Sequence, residues 1–315
     1  MRCTTDDILI ERELNWFNHP ILEEAAVLPT RPVRDAIARV LRISRKARSS
    51  IAFWAEPVTG KSFCIQAIVR ELKRKFPDAG VVLLESVDDR KAQAEGRLLT
   101  QILTSIKYVH KIDRDLAIKR MQVNGALIAL SGSARRIFII IDEAQEVTDA
   151  EFVWLKAVIN GLCAAGIKVM TILFGQRELV DRQTQLKQNG RSDLNKRFMD
   201  KLLKFHGLRS LKDLGAICES LDVKSEFPVG SGWCYTEFLL PKAFAAGFRF
   251  AAKRQLIWER MRVIIPPAML NDGLPMDMVA AFLANIAIRC KCEDAPGFDL
   301  GEVTIDAALK DAIKG

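Results

Sequence analysis

Four short apolar runs, separated by segments of helix length, constrain the fold of this chain more than any other feature of its sequence. Each run has the length of a strand that is buried on both faces. The runs comprise residues 51–54, 81–84, 137–141 and 168–174. Strands that alternate with helices in this way predict an α/β fold with a doubly wound parallel sheet, to which residues 202–207 would add a weaker fifth strand.

The segment that follows the first apolar run has the residues of a phosphate-binding loop. Residues 55–62 read Ala-Glu-Pro-Val-Thr-Gly-Lys-Ser, between a predicted strand and a predicted helix. Backbone N–H groups at such a turn can bind phosphates, Lys61 can reach the β- and γ-phosphates of ATP, and Ser62 can coordinate Mg²⁺. Ala55 stands where the usual pattern has its first glycine. The predicted nucleotide-binding residues of the loop are Glu56, Pro57, Val58, Thr59, Gly60, Lys61 and Ser62.

The third apolar run ends in two carboxylates. Asp142 and Glu143 follow it directly, about 80 residues after the loop. Ligands of open α/β sheets bind at the carboxyl ends of the strands, so both carboxylates are expected beside the loop. Asp142 would hold Mg²⁺ through water, and Glu143 would act as the general base on the attacking water. The loop and the carboxylates, in this order, predict an Mg-dependent ATPase.

Three further residues are candidates for contact with the γ-phosphate. Gln176 follows the fourth apolar run at the same edge of the sheet, where a plain turn is the alternative explanation. Arg197 is the candidate arginine finger, which would reach the nucleotide of a neighbouring subunit; Arg191 and Lys196 compete for this role, and a surface cation is the alternative. Arg249 stands among apolar residues and is either a second sensor or the partner of a buried carboxylate.

Charge and cysteine content restrict the partners and the compartment. The chain carries 47 Lys and Arg against 39 Asp and Glu, a net charge of +8, which favours a polyanionic partner. Residues 32–47 predict a basic amphipathic helix whose cations either face solvent or contact phosphates. The seven cysteines are scattered and do not indicate a disulfide framework, so a reducing cytoplasm is predicted. No apolar stretch reaches the roughly 20 residues of a membrane span, so no membrane contact is expected.

Breaks in the pattern of apolar residues predict that the chain is divided into four parts. Residues 1–30 form an N-terminal arm that ends near a pair of prolines, and residues 31–209 form the α/β ATPase core. Residues 210–265 turn helical and would form a small lid. Residues 266–315 begin at Pro266 and Pro267 and are predicted to form a final helix, at residues 276–290, and a polar tail.

With these motifs in place, residues 31–262 resemble the AAA+ ATPases, and within them the TniB/TnsC/MuB class that regulates DNA transposition. The segments that carry the resemblance read Thr-Gly-Lys-Ser at 59–62, Ile-Ile-Ile-Asp-Glu-Ala-Gln at 139–145, Phe-Gly-Gln-Arg-Glu-Leu at 174–179 and Asn-Lys-Arg-Phe at 195–198. The resemblance implies a P-loop AAA+ fold, with a doubly wound parallel five-stranded sheet and a small C-terminal helical lid. Two residues depart from the family pattern: Ala55 replaces the first glycine of the loop, and Arg177 stands where relatives often carry proline.

The resemblance also implies a function. Proteins of this class bind ATP and duplex DNA without sequence specificity, assemble as rings or helical filaments, and recruit or activate a transposase in concert with target-selection proteins. Their DNA runs along a pore lined by the loop and helix after the second strand, which correspond here to Arg90, Lys91 and Arg97. A single solvated helix would explain these cations equally well.

Two other functions fit the same motifs. Secretion-type ATPases resembling ExeA share the Asp-Glu-Ala-Gln and Gly-Gln-x-Glu-Leu runs, but typically add a membrane segment and a wall-binding domain, and neither is recognised in this sequence. A nucleotide-gated scaffold, in which ATP stabilises an assembly and turnover is negligible, is favoured by Ala55 and disfavoured by Glu143.

Overall fold

The computed structural model describes residues 5–26, 30–46, 48–86 and 94–314. The strands are β1 (Arg48–Trp54), β2 (Gly80–Glu85), β3 (Arg136–Asp142), β4 (Lys168–Gly175) and β5 (Leu202–Lys204). The helices are α1 (Thr5–Asn15), α2 (Arg31–Ile43), α3 (Lys61–Lys75), α4 (Glu95–Ser105), α5 (Leu116–Leu130), α6 (Asp149–Ala164), α7 (Glu178–Gln188), α8 (Ser192–Leu194), α9 (Leu211–Glu219), α10 (Tyr235–Leu239), α11 (Pro241–Ala245), α12 (Phe250–Ile264), α13 (Pro267–Asp272), α14 (Met276–Cys290) and α15 (Glu302–Lys314). They fall into two compact units: a sheet unit, drawn from residues 35–57 and 61–205, and a helical unit, drawn from residues 1–34, 58–60 and 206–315.

The sheet unit is built on five parallel strands in the order β2-β3-β4-β1-β5. On one face of β3, Ile137, Ile139 and Ile141 pack into a core with buried residues of α4, α5 and α6. On the other face, the ring of Phe138 lies 5.4 Å from the ring of Phe76, the residue that follows α3. Helices therefore cover both faces, and the predicted doubly wound parallel sheet of five strands is confirmed.

The register of the sheet brings the ends of the strands to one edge. Trp54 at the end of β1 pairs with Gly175 at the end of β4, and Glu85 at the end of β2 pairs with Asp142 at the end of β3. Parallel strands end at the same edge, so the segments that follow β1, β3 and β4 leave the sheet side by side. The start of the loop, Lys61, the two carboxylates and Gln176 are therefore on the same side of the sheet unit.

The helical unit contains α1 and α9 to α15 around an apolar core of its own. Trp233, Tyr235 and Phe238 are buried in this core, as are Ile305 and Leu309 of α15. A helix at residues 276–290 was predicted and is confirmed as α14. Across the described ranges, no helix combines the length and the apolarity needed to cross a bilayer.

The C-terminal tail differs from the sequence prediction. The sequence predicted a polar tail after residue 290. Instead, residues 302–314 form the 13-residue helix α15, and its Ile305, Ala308 and Leu309 are fully buried. Its polar side is held as well, because Arg260 of α12 donates from Nε and Nη2 to the carboxylate of Asp306 at 2.7 and 2.5 Å. The apolar residues of α15 recur at positions 305, 308, 309 and 312, a helical spacing that was hidden by the charged residues between them.

His19 gives the helical unit a testable pH dependence. Its imidazole is fully buried, stacks on Phe238 at 5.1 Å and accepts a hydrogen bond at Nδ1 from the N–H of Ile21. Burial lowers the pKa of His19 to about 3, below the 6.5 of an unfolded histidine. Between these values the unfolded state binds the additional proton, so the folded state loses stability as the pH falls.

We expect the free energy of unfolding to fall by about 2 kcal/mol more between pH 7 and pH 5 in the intact protein than in His19→Asn. Asparagine cannot titrate, and its amide oxygen can accept the bond from Ile21. Urea unfolding of both proteins at the two pH values measures the difference. Equal losses in the two proteins would show that His19 is protonated in the folded state as readily as in the unfolded one.

Candidate functional site

The loop after β1 has a conformation suited to anions. Ala55 is fully buried, and its N–H donates to the carbonyl of Gly175 at 3.0 Å, which extends the β1–β4 pairing by one residue. The methyl group that replaces the expected glycine is therefore accommodated inside the core. Val58 and Gly60 have φ angles of +59° and +89°. Turns that pass through the left-handed region point successive N–H groups into one concavity, and a β-branched residue there is strained.

Lys61 is the first residue of α3, so it stands at the positive end of a helix of 15 residues. Its side chain is only 8% exposed, and Nζ lies 3.8 Å from Oε1 of Glu143. This separation is longer than a hydrogen bond, although it is short enough for an ion pair. Ser62, the next residue, is exposed. A buried ammonium and an accessible hydroxyl at a helix start fit the triphosphate and the Mg²⁺ that the sequence predicted.

The two carboxylates at the end of β3 differ in environment. Asp142 accepts a hydrogen bond at Oδ1 from the N–H of Glu143 at 2.9 Å, while burial raises its pKa. Glu143 adopts a left-handed backbone with a φ of +49°, which turns its side chain away from the direction of the strand. Burial acts to raise the pKa of Glu143, but hydrogen bonds from Gln145 and Gln176 and the charge of Lys61 outweigh it and leave the pKa below its usual value. Glu143 is therefore ionised at neutral pH.

Two amide side chains fix the position of the Glu143 carboxylate. Oε2 of Glu143 accepts from Nε2 of Gln145 at 2.6 Å and from Nε2 of Gln176 at 3.1 Å. Oε1 of Gln145 in turn accepts from the N–H of Gln176 at 3.0 Å. This network joins the segment after β3 to the segment after β4. The sequence reasoning named Gln176 but assigned no role to Gln145, whose only signal was its place in the Asp-Glu-Ala-Gln run.

Gly175 is required by this network. A methyl group at its Cα would lie 2.8 Å from Oε1 of Gln145 and 3.1 Å from Cδ2 of Leu179. Gly175→Ala is expected to lower the free energy of unfolding by about 1–3 kcal/mol, because Gln145 and Leu179 must move to admit the methyl group. Urea denaturation measures the change.

The matched control is Gly125→Ala, which adds the same methyl group in the middle of α5, where it meets nothing within 4 Å. Alanine is the better helix former, so this variant is expected to be unchanged or stabilised by up to about 1 kcal/mol. Equal effects of the two substitutions would show that the approach of Gln145 to Gly175 is not tight.

Arg197 lies elsewhere in the sheet unit. It belongs to a π-helical turn, Asn195–Met199, and its Nη2 donates to Oδ1 of Asn160. It lines a cleft with Ser49 and Ser50, at the amino end of β1, whereas the loop follows the carboxyl end of the same strand. Arg197 is thus not brought together with Lys61 of its own chain.

The Arg249 side chain forms hydrogen bonds with nearby carbonyl groups in the helical unit. It precedes α12 and donates from Nη1 to the carbonyls of Phe244 and Phe248 at 2.8 and 2.6 Å. Its guanidinium carbon lies 3.4 Å from the centre of the Phe244 ring. These contacts satisfy the charge with carbonyl oxygens and a ring, in place of the carboxylate expected as the alternative.

The predicted DNA contacts are only partly visible. Arg90 and Lys91 lie outside the described residues. Arg97 is exposed in the first turn of α4, and it lines a shallow groove of about 710 Å³ together with Lys119, Thr100 and Gln101. Glu85 also lines the groove, so two cations stand against one carboxylate there, and exposed cations of this kind can contact a polyanion.

Comparison with known proteins found a matching family model and solved structures that align with this chain. Residues 44–183 match the family model described as an AAA domain. The structure of the Aeropyrum pernix ORC2 protein in ADPNP-ADP complexes aligns with a TM-score of 0.62 and 12% identity, over 93% of this chain and 71% of that one. Domain III of the Thermotoga maritima replication initiation protein DnaA aligns with a TM-score of 0.46 and 14% identity, over 91% and 95% of the two chains. Comparison with curated proteins gave no match.

The matched residues run from the end of α2 into α7 and include the loop, both carboxylates and Gln176. This part of the chain is similar to AAA domains, and the five-stranded parallel sheet with its helices has the α/β AAA+ fold. Neither the family model nor the structural likeness distinguishes the TniB/TnsC/MuB class within AAA+ proteins.

Proposed function

We propose that this chain, whose residues 44–183 match the AAA domain family model, is an Mg-dependent ATPase that assembles on duplex DNA and regulates DNA transposition. The observation that carries the enzymatic part is the convergence of Lys61, Gln176 and Gln145 on the Glu143 carboxylate. These residues come from three separate segments of the chain. They meet beside a loop whose backbone is shaped for phosphate.

Each residue has a role in this proposal. The backbone of residues 56–62 holds the phosphates of ATP, and Lys61 supplies positive charge to the β- and γ-phosphates. Ser62 and Asp142 hold Mg²⁺, which supplies positive charge to the phosphate oxygens when it is bound. Glu143 accepts a proton from the attacking water, and Gln176 keeps the carboxylate in position while it donates toward the γ-phosphate region. Slow turnover is expected, since Ala55 alters the start of the loop.

Arg197 is proposed to act on the nucleotide of a neighbouring subunit. A residue at the amino end of β1 is remote from the loop that follows the carboxyl end of that strand, so Arg197 can contribute to phosphoryl transfer only from another copy of the chain. This proposal requires a ring or a helical filament. Arg249 is kept as a second sensor, which would have to give up its carbonyl partners when nucleotide binds.

The DNA-binding part rests on charge and on the motifs. The net charge is +8, and Arg39 and Arg42 are exposed on the polar side of α2. Arg97 and Lys119 line the groove on α4 and α5, and Arg90 and Lys91, which precede α4 in the sequence, are proposed as further contacts. Binding through such cations follows the phosphate backbone, so it should be independent of sequence and weakened by salt. A transposase and target-selection proteins are the proposed protein partners, on the resemblance to the TniB/TnsC/MuB class alone.

Sedimentation with duplex DNA tests the proposal. The intact chain is mixed with DNA and ATP, ADP or no nucleotide, and compared with Lys61→Met and with Lys75→Met. Lys75 is an exposed lysine at the far end of the same helix, so its replacement removes the same charge away from the loop. Large protein–DNA assemblies are expected with ATP alone for the intact chain and Lys75→Met, and none for Lys61→Met.

Other outcomes separate the competing functions. If the chain does not sediment with DNA in any nucleotide state, the DNA-binding part of the proposal is wrong. The remaining function is then that of an ATPase that acts on a protein. ATP-dependent assembly without measurable release of phosphate identifies the nucleotide-gated scaffold instead. Assembly that is equal with ATP, ADP and no nucleotide contradicts control by the loop.

A further inference from the structure

A second polar cleft lies in the sheet unit at the amino ends of β1 and β4. It has a volume of about 220 Å³. Its walls come from the end of α2, the first residues of β1 and β4, α6, and the segment between α8 and β5. The loop that holds Lys61 leaves the opposite, carboxyl end of β1, so the cleft is a separate site and not an extension of the nucleotide site.

The cleft contains a buried hydroxyl that lacks a partner. Thr171 on β4 is 2% exposed, and its Oγ1 has no hydrogen-bond partner among the described residues. Thr171 pairs with Ser50 of β1, so these two side chains share one face of the sheet, and both residues line the cleft. A buried hydroxyl without a partner costs free energy, which indicates that a polar ligand completes the hydrogen bonding of Thr171.

The residues that line the cleft indicate that the ligand is negatively charged. Lys46, Lys196, Arg197 and Lys201 line it, opposed by the single carboxylate of Asp200. Four cations and one anion leave an excess of positive charge around the Thr171 hydroxyl. Hydroxyl, ammonium and guanidinium groups all donate to oxyanions, which can accept several such bonds at once.

The volume limits the size of the ligand. A water molecule occupies about 30 Å³ of liquid, so the cleft has room for about seven waters. Pockets for drug-sized ligands and cofactors begin at about 300 Å³. The cleft therefore suits a phosphoryl group and some water.

We infer that this cleft binds a phosphoryl oxyanion, through Thr171 at its base and Lys46, Lys196 and Lys201 at its rim. The group is presented either as free phosphate or pyrophosphate, or by a phosphodiester of duplex DNA. Binding does not require nucleotide at Lys61, so the inference goes beyond the proposed function and can be tested without it.

Pyrophosphate titration by calorimetry tests the inference, with every protein carrying Lys61→Met so that the loop contributes as little phosphate affinity as possible. This background is compared with added Lys46→Ala/Lys201→Ala and with added Thr171→Val. Arg197 is left unchanged, because it is also the proposed arginine finger. The charge-matched control is Lys187→Ala/Lys212→Ala, two exposed lysines outside the cleft.

We expect the Lys61→Met background and the control to bind pyrophosphate equally. Removal of the two rim lysines is expected to weaken binding by at least about tenfold, and Thr171→Val by about tenfold, because each change deletes charge-assisted hydrogen bonds. Thr171→Val keeps the shape of the side chain, and the exposed rim lysines can be removed without disturbing the fold, so loss of binding in both reports on the cleft itself.

Duplex oligonucleotide, added to the complex with pyrophosphate, then identifies the source. Displacement of pyrophosphate assigns the cleft to the phosphodiester backbone, and retention assigns it to free phosphate. The inference is overturned if the Lys61→Met background does not bind pyrophosphate, or if it binds with the same affinity after the rim lysines are removed.

Discussion

Glu143→Gln is expected to lower kcat for ATP hydrolysis by about 10²- to 10⁴-fold while ATP remains bound. Glutamine preserves the length of the side chain, and its carbonyl oxygen can still accept from Nε2 of Gln145 and Gln176. It cannot accept a proton from the attacking water. Glu143 is ionised at neutral pH in the intact protein, so the substitution removes the form that accepts the proton.

Phosphate release and binding of a fluorescent ATP analogue measure the two effects separately. Glu219→Gln serves as the control, since Glu219 is exposed on α9 in the helical unit and neutralising it leaves the loop and both carboxylates unchanged. A rate within about threefold of the intact protein would assign the general base to another group. Loss of ATP binding in Glu143→Gln would instead mean that the carboxylate shapes the nucleotide site.

Lys61→Met is expected to weaken ATP binding by about 10- to 100-fold, the effect of removing a hydrogen-bonded charge from a phosphate. Lys61 is 8% exposed, and methionine keeps most of its apolar stem, so packing at the start of α3 is preserved. The ion pair with Glu143 is long, at 3.8 Å, and its loss should cost little stability.

The same fluorescent analogue measures the affinity, with Lys75→Met as the variant that removes an exposed charge from the end of α3. Thermal unfolding without nucleotide checks that the fold is retained. Unchanged affinity in Lys61→Met would show that the loop after β1 does not hold the phosphates, and the nucleotide site would have to be sought elsewhere.

The parts of the fold that the sequence predicts correctly depend on local pattern. Runs such as residues 137–141 are apolar without interruption, and only a strand buried on both faces needs that composition. The positions of Lys61, Asp142 and Gln176 at one edge then follow from the parallel order of the strands. Ala55 was a departure from the motif, and the structure explains it, because the strand pairing extends to this residue and buries its methyl group.

Other features depend on contacts between distant residues, which no local pattern records. Residues 210–265 were expected to be helical, and within them the structure has a break between α11 and α12 that the sequence did not indicate. Gly247 takes a φ of +104° in the break, and the carboxylate of Asp222 accepts the N–H groups of Phe250 and Ala251, which fixes the start of α12. Asp222 is nearly thirty residues away, so its capping role was invisible in the sequence.

The role of Gln145 could not be predicted for a similar reason. An amide two residues after Glu143 has many possible partners, and only the fold shows that Gln176 donates to it from the neighbouring strand end. The left-handed backbone of Val58 is equally unforeseen, because a β-branched residue is a poor candidate for that conformation. The partner of Gln145 and the backbone conformation of Val58 both depend on how the loops around the site are arranged in the folded chain.

The time course of assembly on DNA tests the central claim most directly, namely that ATP at Lys61 and Glu143 governs the association of this chain with duplex DNA. Light scattering is followed after a limited amount of ATP is added to the intact protein, Glu143→Gln and Lys61→Met. The proposal predicts that assemblies of the intact protein form and then decay as ATP is consumed, that those of Glu143→Gln persist, and that Lys61→Met forms none. Equal assembly by Lys61→Met, or decay of Glu143→Gln at the rate of the intact protein, would contradict it.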